Sequence, residues 1–206
     1  MKVSAIVLAG GKNLRLGRNK ALEVLNGKRM IERVVERLAP LAEEVLIITA
    51  MKPEELSFLK DVRMLPDIEA GRGPLGGIYT GLVASKMPYS VIVACDMPFL
   101  NTELLGYMIS LAEGYDVVIP RLENRLVEPL HAVYARGCVD TVKQQLDENN
   151  LMVNALLARL KVRYIDPEER LKLDPCRLSF FNINDQADLD RAVAIAADES
   201  LSECQS

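Results

Sequence analysis

From Val3 to Leu22 the chain reads VSAIVLAGGKNLRLGRNKAL, an apolar run that stops at Gly10-Gly11 and passes into a cationic loop. Val3, Ala5, Ile6, Val7, Leu8 and Ala9 form the run, and Lys12, Arg15, Arg18 and Lys20 surround Gly17. A buried strand that ends in glycines brings backbone N–H groups up to a ligand with no side chain in the way. Cations a few residues further on meet negative charge. The chemistry this suits is the holding of a triphosphate at the carboxyl end of a first strand, where open α/β sheets bind ligands. A tight turn with a solvated basic loop is the alternative that the residues alone leave open. The spacing matches neither G-x-x-x-x-G-K-[ST], because Arg18, Asn19 and Lys20 follow Gly17, nor G-x-G-x-x-G, because the two glycines are adjacent.

Two further groups carry chemistry. Cys95-Asp96-Met97-Pro98 follows the apolar run Ser90–Ala94. An aspartate at the end of a central strand either holds Mg²⁺ beside a triphosphate or caps the turn that follows, and both readings stand at this point. Cys95 reads as a small buried hydrophobe. Asp67 to Gly81, DIEAGRGPLGGIYTG, puts five glycines around Pro74. It reads as backbone pressed closely against something, followed by a helix that starts near Pro74. The helix N-terminus would aim N–H groups at an anion or a base edge. A surface loop is the plainer alternative. His131, in the apolar run Pro129–Tyr134, reads as a structural residue rather than a general base.

The elements that must position these residues alternate. Val45–Thr49, Ser90–Ala94 and Asp116–Pro120 are short, β-branched and nearly unbroken, as strands covered on both faces are. Met30, Ile31, Val34, Val35 and Leu38 form a helical stripe stopped by Pro40, and Leu104, Leu105, Met108, Ile109 and Ala112 form another between Asn101 or Thr102 and Gly114. A third, Leu189, Ala192, Val193 and Ala196, opens at Asp185. This alternation predicts an α/β fold, a mostly parallel sheet with helices on both faces. Residues 1–197 read as a single domain and 198–206 as a flexible polar tail.

The chain has 206 residues and a net charge of −4, which argues against a nonspecific nucleic-acid binder and leaves any polyanion to a local cluster such as Arg15/Lys20. Four scattered cysteines with no C-x-x-C pair, and one histidine, give little support to a structural zinc site. Reduced thiols in the cytoplasm are the natural reading, and no apolar run is long enough to span a membrane.

In order along the chain, LAGGKNLRLGRNKAL (8–22), GPLGGIYTGL (73–82), ACDMPFL (94–100), EPLHAVY (128–134) and FFNINDQADL (180–189) resemble blocks of the molybdenum cofactor guanylyltransferases. This is a branch of the nucleotide-diphospho-sugar transferase-like superfamily. The first block is common to the superfamily, and the block at Asn182–Asp185 points to the branch. The resemblance implies a three-layer αβα, Rossmann-like nucleotidyltransferase fold. It also implies Mg²⁺-dependent transfer of GMP from GTP to the terminal phosphate of molybdopterin. By that likeness Leu8, Ala9, Gly10 and Gly11 hold base and ribose. Arg15 and Lys20 meet the phosphates, and Asp67, Gly73, Pro74 and Leu75 touch the nucleotide. Asp96 holds Mg²⁺, and Asn182 and Asn184 contact the acceptor. Transient contact with other molybdenum cofactor proteins is implied as well. Thr49–Lys52 lacks an asparagine that the family pattern carries, while the double glycine and the Gly-Pro-Leu-Gly block favour guanine. A cytidylyltransferase, a nucleotidyltransferase for another phosphorylated acceptor, and a catalytically silent nucleotide binder are the alternatives.

Overall fold

The computed structural model describes residues 1–10, 19–122 and 126–198. A seven-stranded sheet forms its centre, with strands β1 (Val3–Leu8), β4 (Glu44–Ile48), β5 (Val62–Leu65), β6 (Tyr89–Ala94), β7 (Val117–Pro120), β8 (His131–Ala135) and β9 (Val162–Ile165) in the order β5-β4-β1-β6-β8-β7-β9. Four of its six pairings, those of β1 with β4 and β6, β4 with β5, and β7 with β9, are parallel, as expected of a mostly parallel sheet. Only β8 runs antiparallel, to both β6 and β7. A two-stranded hairpin, β2 (Val24–Leu25) and β3 (Lys28–Arg29), stands apart.

Strand alternation divides the core. Val3, Ala5 and Val7 of β1 face a cluster that includes α1 (Met30–Leu38) and α3 (Thr102–Ser110), whereas Ile6 and Leu8 face α2 (Gly73–Ala84), α4 (Val139–Asp147) and α5 (Val153–Leu157). Helices therefore cover both faces, as the alternation of elements predicts. A smaller cluster joins the hairpin to α7 (Gln186–Ala197) through Leu25, Met30, Phe99, Ile183 and Leu189. The helical stripes fall where the spacing places them, with Asn101 capping α3 and Asp185 capping α7. Val193 departs from its stripe and is exposed, and Ile195 packs inward instead. Cys95 and Cys138 are free and buried.

The glycines after Asp67 have separate causes. Gly71 and Gly73 take positive φ, and Gly76, Gly77 and Gly81 are packing positions. A Cβ on Gly77 would lie 3.1 Å from the Leu8 side chain, and one on Gly81 2.6 Å from Ile6 Cγ2. The partner against which this backbone presses is β1 itself. Gly81→Ala gains about 1 kcal/mol of helix propensity but drives a methyl into Ile6, an overpacking cost of about 1–3 kcal/mol. The expected net result is a loss of about 1 kcal/mol, read as a lower urea midpoint at unchanged slope. An unchanged midpoint would mean that Ile6 yields without cost.

Candidate functional site

The carboxyl end of β1 is held from both sides. Ala9 N–H donates to Ile48 O at 2.9 Å, and Thr49 Oγ1 donates to Ala9 O at 3.0 Å while accepting from Met51 N–H at 3.1 Å. On the other side Cys95 N–H donates to Leu8 O at 3.1 Å. Leu8 and Ala9 are thus held between the ends of β4 and β6. A cavity of about 270 Å³ opens beside it, lined by Ala9, Gly10, Lys20, Thr49, Met51 and Glu55 among others. Thr49 and Met51 lie in the Thr49–Lys52 stretch, where the family pattern carries an asparagine, whereas nothing in the sequence marked Glu55; the three reach the end of β1 only through the β1–β4 pairing.

Lys20 begins a single 3₁₀ turn, Lys20–Leu22, capped by Asn19, whose Oδ1 accepts from Ala21 N–H at 3.1 Å. Its side chain is buried, yet it lines the cavity. Nζ donates to Ile183 O at 2.9 Å and to Asn184 Oδ1 at 3.4 Å. An ammonium has three donors, so one is left over among the described residues for an anion in the cavity. Ile183 is held a second time, its N–H donating to Asp96 O at 3.0 Å. Lys20, the Asn182–Asn184 segment and Asp96 therefore form one structure. Asn182 is half-buried and Asn184 exposed, and Asn184 N–H donates to Asp188 Oδ2 at 2.9 Å at the start of α7.

Asp96 is half-buried at the end of β6. Burial raises its pKa from the usual carboxylate value, and the Lys20 charge offsets part of that rise. Glu128 is also raised, first by burial, with the N–H of Leu130 opposing and the Asp96 charge adding to it. The two carboxylates feel each other, and Glu128 was not singled out although it opens the EPLHAVY block. The donor set fits Mg²⁺, which takes one or two carboxylate oxygens together with substrate phosphates rather than an all-protein cage. Asp96 would hold it. Cys95 is buried with its thiol pushed up to about 12, which suits a packing residue and not a nucleophile.

Asp67 lies in the loop after β5, with Oδ1 accepting from Thr80 Oγ1 at 2.6 Å and from Glu69 N–H at 3.0 Å. It anchors the loop to α2. Gly73 and Pro74 are exposed in the first turn of α2, which has no side-chain cap. Leu75 is fully buried, so only its backbone can reach a ligand. Asp67 and Gly73–Leu75 are not part of the cavity lining. Gly11 and Arg15 lie outside the described residues, as do positions 199–206 of the expected tail. Among the described residues, no helix is long and apolar enough to cross a membrane.

Residues 5–163 match the family model described as the MobA-like NTP transferase domain. The chain is 36% identical over 196 residues to the probable molybdenum cofactor guanylyltransferase of Pelotomaculum thermopropionicum, covering 95% of this chain and 94% of that one. The chain belongs to the molybdenum cofactor guanylyltransferase family. Its structure matches the molybdopterin-guanine dinucleotide biosynthesis protein A of Archaeoglobus fulgidus with a TM-score of 0.82, at 31% identity over 95% of this chain and 99% of that one. The 2-C-methyl-D-erythritol 4-phosphate cytidylyltransferase of Thermus thermophilus shares the fold, with a TM-score of 0.71 at 18% identity, over 96% of this chain and 100% of that one. The family fold is the three-layer nucleotidyltransferase architecture that the sequence blocks imply. Family membership extends over both the Lys20 end of the site and most of the sheet that carries Asp96.

Proposed function

We propose that this chain transfers GMP from GTP to the terminal phosphate of molybdopterin in the cytoplasm, releasing pyrophosphate. The observation that carries the reading is the junction of Lys20 with Ile183 O and Asn184 beside Asp96, which joins a cation suited to phosphate to the segment assigned to the acceptor. Residues 1–197 act as one domain, the first half holding nucleotide and the second acceptor. The turn from Leu8 to Gly11, Asp67 and the backbone of Gly73–Leu75 take base and ribose. Arg15 and the spare donor of Lys20 meet the phosphates, and Asn182 and Asn184 orient the acceptor.

An acceptor phosphate oxygen attacks the α-phosphorus of GTP. The bond from that phosphorus to the bridging oxygen breaks, and the electron pair leaves with pyrophosphate. Such a transfer needs in-line placement and charge neutralisation more than a protein nucleophile. A bound Mg²⁺ would supply further neutralisation at Asp96. No protein group has to change its covalent state.

Thermal unfolding with Mg²⁺ and each of GTP, CTP, ATP and UTP tests the nucleotide. Ligand at ~100 times its dissociation constant adds about 2.7 kcal/mol to stability. A rise with GTP alone is expected. A rise with CTP alone would replace guanylyl by cytidylyl transfer, and no rise with any nucleotide would overturn the reading.

A further inference from the structure

A set of buried polar groups lies behind the site and belongs to none of the roles assigned so far. His131 of β8 is wholly buried, and its Nε2 stands 3.4 Å from Ser179 Oγ. Ser179 Oγ accepts the N–H of Asn101 at 2.9 Å. Asp174, also buried, accepts the N–H groups of Leu178 at 3.2 Å and Ser179 at 3.3 Å. The Phe180 ring packs on the His131 imidazole at 4.5 Å between centroids.

These contacts connect two ends of the site. Asn101 lies five residues after Asp96 and caps α3 through Leu104 N–H. Ser179 lies three residues before Asn182, and Ile183 returns to Asp96 O and Lys20 Nζ. The stretch from Asp96 to Asn101 and the stretch from Ser179 to Ile183 are therefore clamped together at both ends, by the Ser179 hydroxyl at one and by Ile183 at the other. We propose that His131 and Ser179 are positioning residues that fix the 182–184 segment relative to Asp96 and so set where the acceptor phosphate sits.

Proton counting gives the hydroxyl its direction. If Nε2 carried the ring proton, Ser179 Oγ would accept two bonds, leaving its own proton and the Nδ1 lone pair both without partners. If the hydroxyl donates to Nε2, the ring proton sits on Nδ1, and that N–H is the single group left over. The second arrangement strands fewer groups. It requires a neutral imidazole, in keeping with burial that lowers the His131 pKa to about 3 and the nearby Arg170 charge that adds to the shift.

The proposal rests on the acceptor role read for Asn182 and Asn184, and the test separates the two. The chain has one histidine, so a long-range ¹H–¹⁵N spectrum of the imidazole reports a single ring. A neutral Nδ1–H tautomer, constant between about pH 5 and 8, is expected. In Ser179→Ala the Nε2 signal and the Asn182 and Asn184 side-chain amide signals should move. The acceptor KM should rise about fivefold to tenfold, with the GTP KM unchanged. A ring that titrates in this range, stationary amide signals, or an equal rise in both KM values would overturn the positioning role. A wild-type chain that transfers no GMP would overturn the proposed function instead, and the amide signals would still decide the positioning role.

Discussion

Asp96→Asn should lower turnover by about a hundredfold to a thousandfold, the range for removing one preorganised electrostatic group, without lowering the melting temperature. The two halves of this result have the same cause. Burial raises the Asp96 pKa above its ordinary value, so the fold disfavours the ionised form despite the Lys20 charge. A group raised in the folded state stabilises the fold when protonated and costs stability above its unfolded pKa. At neutral pH the neutral amide removes that cost, and the melting temperature should stay level or rise. That pair of results would mean that the carboxylate serves the reaction rather than the fold. Turnover assays at saturating Mg²⁺ and thermal melts on the same samples check both halves. A mutant that keeps most of its rate would remove Asp96 from the metal role. One that melts earlier would mean that the Lys20–Asp96 attraction outweighs burial.

Lys20→Ala should weaken GTP binding by roughly 1.5–3 kcal/mol, the value of a charge-assisted hydrogen bond, or about tenfold to a hundredfold in affinity. It differs from Ser179→Ala in reach. Nζ also holds Ile183 O and Asn184, so the acceptor KM should rise together with the loss of nucleotide affinity. Calorimetry with GTP and steady-state kinetics in the acceptor measure the two effects. Unchanged GTP affinity would leave Lys20 as an anchor of the 182–184 segment alone.

The centre of the sheet was legible because β1, β4 and β6 are buried on both faces and therefore read as unbroken apolar runs. The outer strands were not. β5 (VRML) and β9 (VRYI) are four residues each at the two edges of the sheet, and each carries an arginine. Such charged, half-buried edges resist further pairing and look like loops in sequence. The direction of β8 was hidden as well, since an apolar run has no polarity and, among the described residues, no helix lies between β7 and β8. Within the site, Lys20 and Asp96 stood out as charge beside strand ends. Glu55 and Glu128 did not, and neither did the bond from Lys20 to Ile183, whose partners are 163 positions apart.

That separation bears on synthesis. The pairing of β1 with β4 and β6 needs only the first 94 residues, so the central strands can associate while the remainder is still being made. The Lys20 ammonium must then wait for Ile183 to leave the ribosome before it has an anchor. A growing chain would complete the β1 end of the cavity well before the 182–184 segment, and on the proposed assignment GTP would meet the first of these before the second has formed.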